Sequence, residues 1–311
     1  MTETKQELID ELLTSINMHK KVLEDSAHIE IDGNRVLSKG LVQGFHMDVE
    51  EQDEGIEATI RVEKGVALKK PVHLCFGMIP ESGIQRIKLH VHIEENAKVN
   101  FLAHCTFPNA VDVQHLMDAD IKVDAGGEYS YFERHVHSDN KGIKVVPKAR
   151  IELAENAKFR TEFELLEGRV GLMDIDYESV GAAGSVLEMM ARISARGDDK
   201  IKIREAAVLA GEYARGVLKS SIAVRDQSTA EIYNDLKALA AYSRGHVDCK
   251  EIVQGDASAR AVPIVQVKHP KAHVTHEAAI GSVDSKQLQT LMARGLDEEE
   301  AVDLIIQGML S

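Results

Sequence analysis

The chain has 311 residues, 44% of them hydrophobic, with a formal net charge of −14 and 4% aromatic residues, none of them Trp. This length suits one large domain or two ordinary ones, and the apolar fraction suffices for a substantial core, which excludes general disorder. The negative balance and scarce aromatics argue against nucleic-acid binding and an anionic membrane surface, and no apolar run approaches the roughly 20 residues of a spanning helix.

The chain opens on MTETKQELIDELL, charged and amphipathic and without the apolar stretch of a signal peptide, so a cytoplasmic protein is expected. Leu8, Leu12, Leu13, Ile16 and Leu23 fall near helical spacing, which predicts a helix from Lys5 to Leu23 within an N-terminal segment 1–27. It is expected to cover the first end of the domain that follows. Ile29 and Ile31 then alternate with polar residues, as a strand requires.

Residues 28–280 carry a different pattern. VHIEENAKVNF, DIKVDAGGEYSYF, RIELAENAKFRTEF, SIAVRDQSTAEIY and EIVQGDASARAV each read as strand, small turn, strand. Aligned on Ala97, Gly127, Ala157, Gly184, Ser228 and Ala257, the copies recur about every 30 residues, with one gap that VLAGEYARG fills as a degenerate copy. Such a period signals a solenoid, and small residues suit its corners, where a bulky side chain would strike the next rung. Ile93, Val99, Ile121, Val123, Ile151 and Leu153 are the expected interior. A propeller lacks support without aromatic blade signatures, and a two-sheet sandwich explains the strands but not the period. The predicted fold is therefore mainly β: a parallel β-helix with an N-terminal helix and a C-terminal helical tail.

Two H-x-H pairs, His90/His92 and His135/His137, each place two imidazoles on one strand face, a possible metal grip. Their charged surroundings favour a solvated outer face for both pairs. His73, His104 and His115 read as structural or surface singles. Three cysteines, Cys75, Cys105 and Cys249, are odd in number and widely spaced, so neither a disulfide framework nor a C-x-x-C zinc site is expected. Alternation in FLAHCTF is consistent with Leu102 and His104 inward and Cys105 outward, whereas Cys75 reads as core. The stretch HPKAHVTHEAAIG concentrates His269, His273, His276 and Glu277, either a site or a solvated edge strand.

Residues 281–311 switch to helical period. Asp284 or Ser285 caps a first helix with Leu288, Leu291 and Met292 on its apolar face, and Gly295 ends it. Asp297 caps a second, with Glu298, Glu299 and Glu300 favourable in its first turn and Ala301, Leu304, Ile305 and Leu310 as its apolar stripe. This tail is expected to dock on the solenoid's end, where a strand edge would otherwise be open. No P-loop, Rossmann G-x-G-x-x-G, H-E-x-x-H or G-x-S-x-G occurs.

The last 60 or so residues are specific. Cys249, the apolar pair Ile252-Val253, Gly255-Asp256, Pro263 and His276-Glu277-Ala278 follow one another in order. Q-L-x-x-L-x-x-R-G-L from Gln287 and E-E-A-x-x-L-I-x-x-G from Glu299 complete the series. This segment resembles the SufB/SufD family of iron–sulfur cluster assembly proteins, whose right-handed β-helix the upstream solenoid matches in architecture. The chain departs from the family at Lys250-Glu251, at Gln289-Thr290, at Met309 and in lacking a large N-terminal extension.

The resemblance implies a non-enzymatic scaffold that assembles a transient iron–sulfur cluster with a SufC-like ABC ATPase, which would dock on the C-terminal helices. Cys249, His276 and Glu277 in one chain imply a homodimer carrying both roles, the alternative being a heterodimer with a paralogue. One thiolate per chain cannot fill a cluster's ligand positions, whereas two chains offer two thiolates with imidazoles or carboxylates. A regulatory partner of the ATPase that holds no cluster is the second reading. A solenoid carbohydrate-active enzyme is disfavoured by the absence of Trp and of a secretion signal.

Overall fold

The computed structural model describes residues 5–15, 23 and 25–310. Helix α1 spans Lys5–Ser15, so Ile16 and the rest of the predicted helix up to Leu23 lie outside the described residues, Leu23 itself excepted. Nineteen strands follow among the described residues. The first seven are β1 His28–Asp32, β2 Arg35–Gly40, β3 Phe45–Gln52, β4 Gly55–Val62, β5 Val72–Gly77, β6 Ser82–Ile93 and β7 Lys98–Phe107. Next come β8 Asp112–Val123, β9 Glu128–His137, β10 Ile143–Leu153, β11 Lys158–Glu167, β12 Leu172–Gly181 and β13 Val186–Ala195. The last six are β14 Lys200–Leu209, β15 Arg215–Val224, β16 Thr229–Ala238, β17 Arg244–Val253, β18 Ser258–Val267 and β19 His273–Gly281. Helices α2 Ser285–Met292 and α3 Glu298–Leu310 close the chain.

From β4 onward the strands alternate between two sheets, and each pairs in parallel with the strand two positions on. The result is the predicted parallel solenoid, with odd strands in one sheet and even strands in the other. Antiparallel partners β2 and β3 close the two sheets at the N-terminal end. Period-2 alternation sends every second side chain inward. All six expected interior residues are buried, and Tyr129 stacks on Phe159 inside at 5.1 Å between ring centroids.

The corners explain the period. Asn96, Gly126, Asn156, Gly184, Tyr213 and Tyr242 form a file of left-handed residues along one corner. The amide of each of the first five donates to a carbonyl one rung on, from Asn96 N to Ala125 O at 3.0 Å through Tyr213 N to Ala241 O at 3.1 Å. The residue after each is small and fully buried where Ala97, Ala157, Ser185, Ala214 and Ser243 stand. Of the small residues that mark the period in the sequence, Ala97, Gly127, Ala157 and Gly184 belong to this corner. Ser228 and Ala257 belong to the opposite corner, after Asp226 and Gly255. The apparent gap arose from changing corners, and VLAGEYARG is a regular copy of the first corner, with Tyr213 in its left-handed file and Ala214 buried after it.

Two expectations about the helices are corrected. Helix α1 covers no end: Leu8, Leu12 and Leu13 pack on Leu37 and Cys75, and Ser15 Oγ meets Thr106 Oγ1 at 2.8 Å, all on the outer face of the odd-strand sheet. Helix α3 lies on the same outer face farther along. Ile306 and Leu310 bury against Ala223, with Leu166 and Ile252 alongside, Arg192 Nη1 donates to Leu310 O at 2.9 Å, and Arg225 pairs with Asp303. Fully burying two such side chains contributes roughly 1.5–3 kcal/mol each. The buried stripe is Ala301, Ile306 and Leu310, whereas Leu304 is 47% exposed, because the helix packs on a flat sheet face rather than over a solenoid end. Asp284 caps α2 through Gln287 N at 2.7 Å, as expected.

The C-terminal end is consequently open. Val265 and Val267 on β18 share register with the inward-facing Leu236 and Ala238, yet both are exposed because no further rung among the described residues covers them. Ile280 on β19, in register with inward Glu251, is exposed for the same reason.

Candidate functional site

Cys249 sits on the inward face of β17, one rung below this open end, in register with Ser220 beneath and Ala278 above. It is fully buried. Asn234 Nδ2 donates to its sulfur at 3.4 Å from the facing sheet. Burial pushes the thiol up, partly offset by hydrogen bonds from Ser220 and Asn234. Glu251, two residues along the same strand face, is also buried and receives Ser220 Oγ at 3.4 Å. Burial pushes its carboxyl up to about 7. Glu205 lies one rung below Asn234 on the facing sheet, pushed up to about 8 by burial.

This chamber holds three buried oxygens with no hydrogen-bond partner among the described residues: Glu205 Oε2, Asn234 Oδ1 and Glu251 Oε2. Buried acceptors left unpaired are costly and call for a ligand, an ion or water. Soft sulfur beside carboxylate oxygen suits iron better than magnesium or calcium.

The expected trio is only partly brought together. His276 is in register with Val247, which puts it on the inward face shared with Cys249. Glu277 is in register with Asp248 on the opposite face, so strand alternation separates it from Cys249 within one chain. Both are exposed, as is His273, while His269 sits in the turn before β19. Glu251, Asn234 and Ser220 were missed by sequence reasoning. Glu251 was noted only as a departure from the family pattern, although its i+2 spacing from Cys249 signals a shared strand face.

A second cluster lies deeper, and here two expectations fail. Cys105 faces inward with Phe101, Ala103 and Phe107, while Leu102 and His104 face outward. The alternation was sound but its phase was reversed, because Phe101 and Phe107 claim the core. His135 and His137 are buried in the lumen, not on a solvated face. His90 and His92 do stand on the outer face, the latter pairing with Asp124 at 2.7 Å. Cys105, His115, Glu133 and His135 converge, each offering one ligand atom, all within 4.8 Å of one another. Burial pushes His115 and His135 down to about 3 and raises Glu133 and Cys105. Cys75 is buried under α1.

The family described as "SUF system FeS cluster assembly, SufBD core domain" matches residues 79–309. The chain is 36% identical over 311 residues to an iron–sulfur cluster assembly SufBD family protein of Methanocaldococcus jannaschii, covering 98% of both. It is 37% identical over 284 residues to a SufBD family protein of Pyrococcus horikoshii, covering 91% of this chain and 86% of that one. The iron–sulfur cluster assembly protein SufB of Bacillus subtilis is 24% identical over 262 residues, and the match spans 54% of its length.

Proposed function

This chain belongs to the SufBD family of SUF-system iron–sulfur cluster assembly proteins, and we propose that it is a scaffold that builds a nascent cluster at its open C-terminal end. The observation that carries this reading is the buried thiol of Cys249 among three oxygens that have no hydrogen-bond partner among the described residues, one rung below the mouth. Cys249 and His276 supply sulfur and nitrogen ligands from the inward face, and Glu251 joins them. Glu277, on the outer face, would reach a cluster only as a contribution across two chains.

A solenoid end with exposed Val265, Val267 and Ile280 favours pairing with a second such end, either another copy or a paralogue. Mixed ligation across that contact holds a cluster less firmly than four thiolates, which suits cargo that must leave. The outward surface of the tail, with Met292, Leu304 and the acidic Glu298–Glu300, is the docking face for a SufC-like ABC ATPase. Because Cys249 is roofed by β19, loading requires that edge strand to open, and ATPase motion acting through the adjoining helices is a suitable lever. The setting expected for this work is the cytoplasm.

Anaerobic reconstitution with iron and sulfide, read by visible spectrum and by iron and sulfide content, tests the reading. The full chain should gain a cluster and Cys249→Ser should not, with unchanged circular dichroism. A Cys249→Ser variant that reconstitutes normally would refute the assignment. A wild-type chain that binds its ATPase but never acquires iron would favour the purely regulatory role.

A further inference from the structure

The deeper cluster is wired by backbone carbonyls at both ends, and the wiring fixes its protons. Gln85 Nε2 donates to Gly33 O and Gly77 O, both at 2.9 Å, so its Oε1 must accept from His115 Nδ1 at 2.8 Å. A neutral His115 therefore presents a lone pair at Nε2. From the other side, His137 Nδ1 donates to Arg169 O at 3.0 Å, which leaves His137 Nε2 to accept from His135 Nδ1 at 3.1 Å. His135 then presents its own lone pair at Nε2. Two imidazole lone pairs, the Cys105 sulfur and the Glu133 carboxyl thus face one point.

The spacing fits a tetrahedral ion. Bonds of about 2.3 Å to sulfur and about 2.0–2.2 Å to nitrogen and oxygen set ligand–ligand edges of roughly 3.4–3.6 Å. Cys105 Sγ lies 3.7 Å from His115 Nε2 and 3.4 Å from Glu133 Oε1, and Glu133 Oε1 lies 3.1 Å from His135 Nε2. Metal-bound histidines characteristically hand their other N–H to a carbonyl or similar acceptor, as His115 does to Gln85 and His135 does to His137.

We propose that Cys105, His115, Glu133 and His135 form a closed, resident site for one divalent ion of the zinc, ferrous-iron and cobalt class, inside the solenoid and distinct from the mouth around Cys249. Charge balance agrees with so dry a location. Metal-free, the cluster needs two protons, one on the Cys105 thiol, which lies within reach of Glu133 Oε1 and His115 Nε2, and one on the Glu133 carboxyl toward His135. A divalent ion replaces both, releases them to solvent, and leaves a neutral assembly of M²⁺, thiolate, carboxylate and two neutral imidazoles. No electron is exchanged. One sulfur, two nitrogens and one oxygen favour this class over magnesium or calcium. With all four ligands buried, the ion enters as the chain folds, so it staples β7, β8 and β9 together.

The test uses the full chain carrying Cys249→Ser, which removes the thiolate at the mouth, unfolded and refolded anaerobically with Co²⁺ or Zn²⁺ and then dialysed against EDTA. About one ion per chain should remain. The Co²⁺ form should show a thiolate-to-metal charge-transfer band and intense tetrahedral d–d absorption. Adding Cys105→Ser should abolish the charge-transfer band. The isosteric Glu133→Gln, which keeps the shape of the core, should lower retention at least tenfold and cancel the metal-dependent rise in melting temperature. Failure to retain any ion, or equal retention by both added variants, would overturn the proposal. The cluster-scaffold reading would survive either result, because it rests on Cys249 and the mouth.

Discussion

Glu133 and Cys249 occupy one inward-facing file of the odd-strand sheet, four rungs apart, joined in register through Phe163, Ala191 and Ser220. At the usual strand spacing of about 4.8 Å, that separates them by roughly 19 Å. The intervening side chains are one aromatic ring, one methyl and one hydroxyl, so no ionised group couples the two positions along this file.

At that distance the two polar chambers should behave as independent units. Glu133→Gln and Cys249→Ser are expected to change unfolding free energy additively to within about 0.5 kcal/mol in the double variant. Iron retained at the mouth after reconstitution should fall in Cys249→Ser and stay unchanged in Glu133→Gln. Urea unfolding of the four proteins, with iron assays alongside, checks both statements. Strong non-additivity would mean that the core transmits strain between the chambers.

Glu205 makes stability depend on pH in a particular sense. Burial holds its carboxyl near 8, above the ordinary carboxylate value it regains on unfolding. Between those values the folded state binds the extra proton, so its contribution is full at acid pH and is lost as pH rises toward 8. For a fully buried carboxyl the loss is on the order of a few kcal/mol. Tyr177 and Asn234 flank it in register, with Cys249 near Asn234. Glu205→Gln should flatten the fall in melting temperature between about pH 5 and pH 8, whatever its offset at pH 5. An unchanged slope would show that Glu205 is not held protonated.

The fold was legible because a solenoid writes its rule many times over. Small residues at the corners and alternating interior positions such as Ile121, Val123, Ile151 and Leu153 repeat until chance is excluded. What escaped was phase and facing. Cys105 lies between Ala103 and Phe107, and FLAHCTF reads equally well with either face inward; only the neighbouring rungs decide. His135 and His137 looked solvated because the strand is charged, but Arg134 on the other face carries that charge, pairing with Glu164 at 2.7 Å. The adjacency of His276 and Glu277 in sequence suggested one site, whereas alternation sends them to opposite faces. Glu251 drew attention only as a mismatch, and its burial beside Cys249 is a tertiary fact.

The tail should separate into a packing face and a binding face. Ile306 is buried against the sheet and Leu304 is 47% exposed. Ile306→Ala should loosen α3 by about 2–4 kcal/mol, seen as faster hydrogen exchange in Glu298–Leu310 with little change in the solenoid's own unfolding. Leu304→Asp should leave exchange and melting temperature unchanged and abolish co-purification with the ATPase. Retention of the ATPase by Leu304→Asp together with Met292→Asp would move that interface off the tail.

The open end leads to the strictest test. Along most of the solenoid an inward valine is covered by the rungs on both sides, but Val265 is 37% exposed because β18 is the last strand of its sheet. In an isolated chain, aspartate at this position reaches water, so Val265→Asp should alter the monomer's melting temperature little. In a two-fold contact between mouths, the same carboxylate is taken out of water without a partner charge, which costs several kcal/mol. Sedimentation should therefore show dimers for the wild type and monomers for Val265→Asp, with the circular dichroism of the two alike. Since Cys249 lies one rung beneath this surface, the monomeric variant should also lose iron on anaerobic reconstitution. A monomer that still holds a full cluster would place every ligand within a single chain and remove the need for the paired mouth.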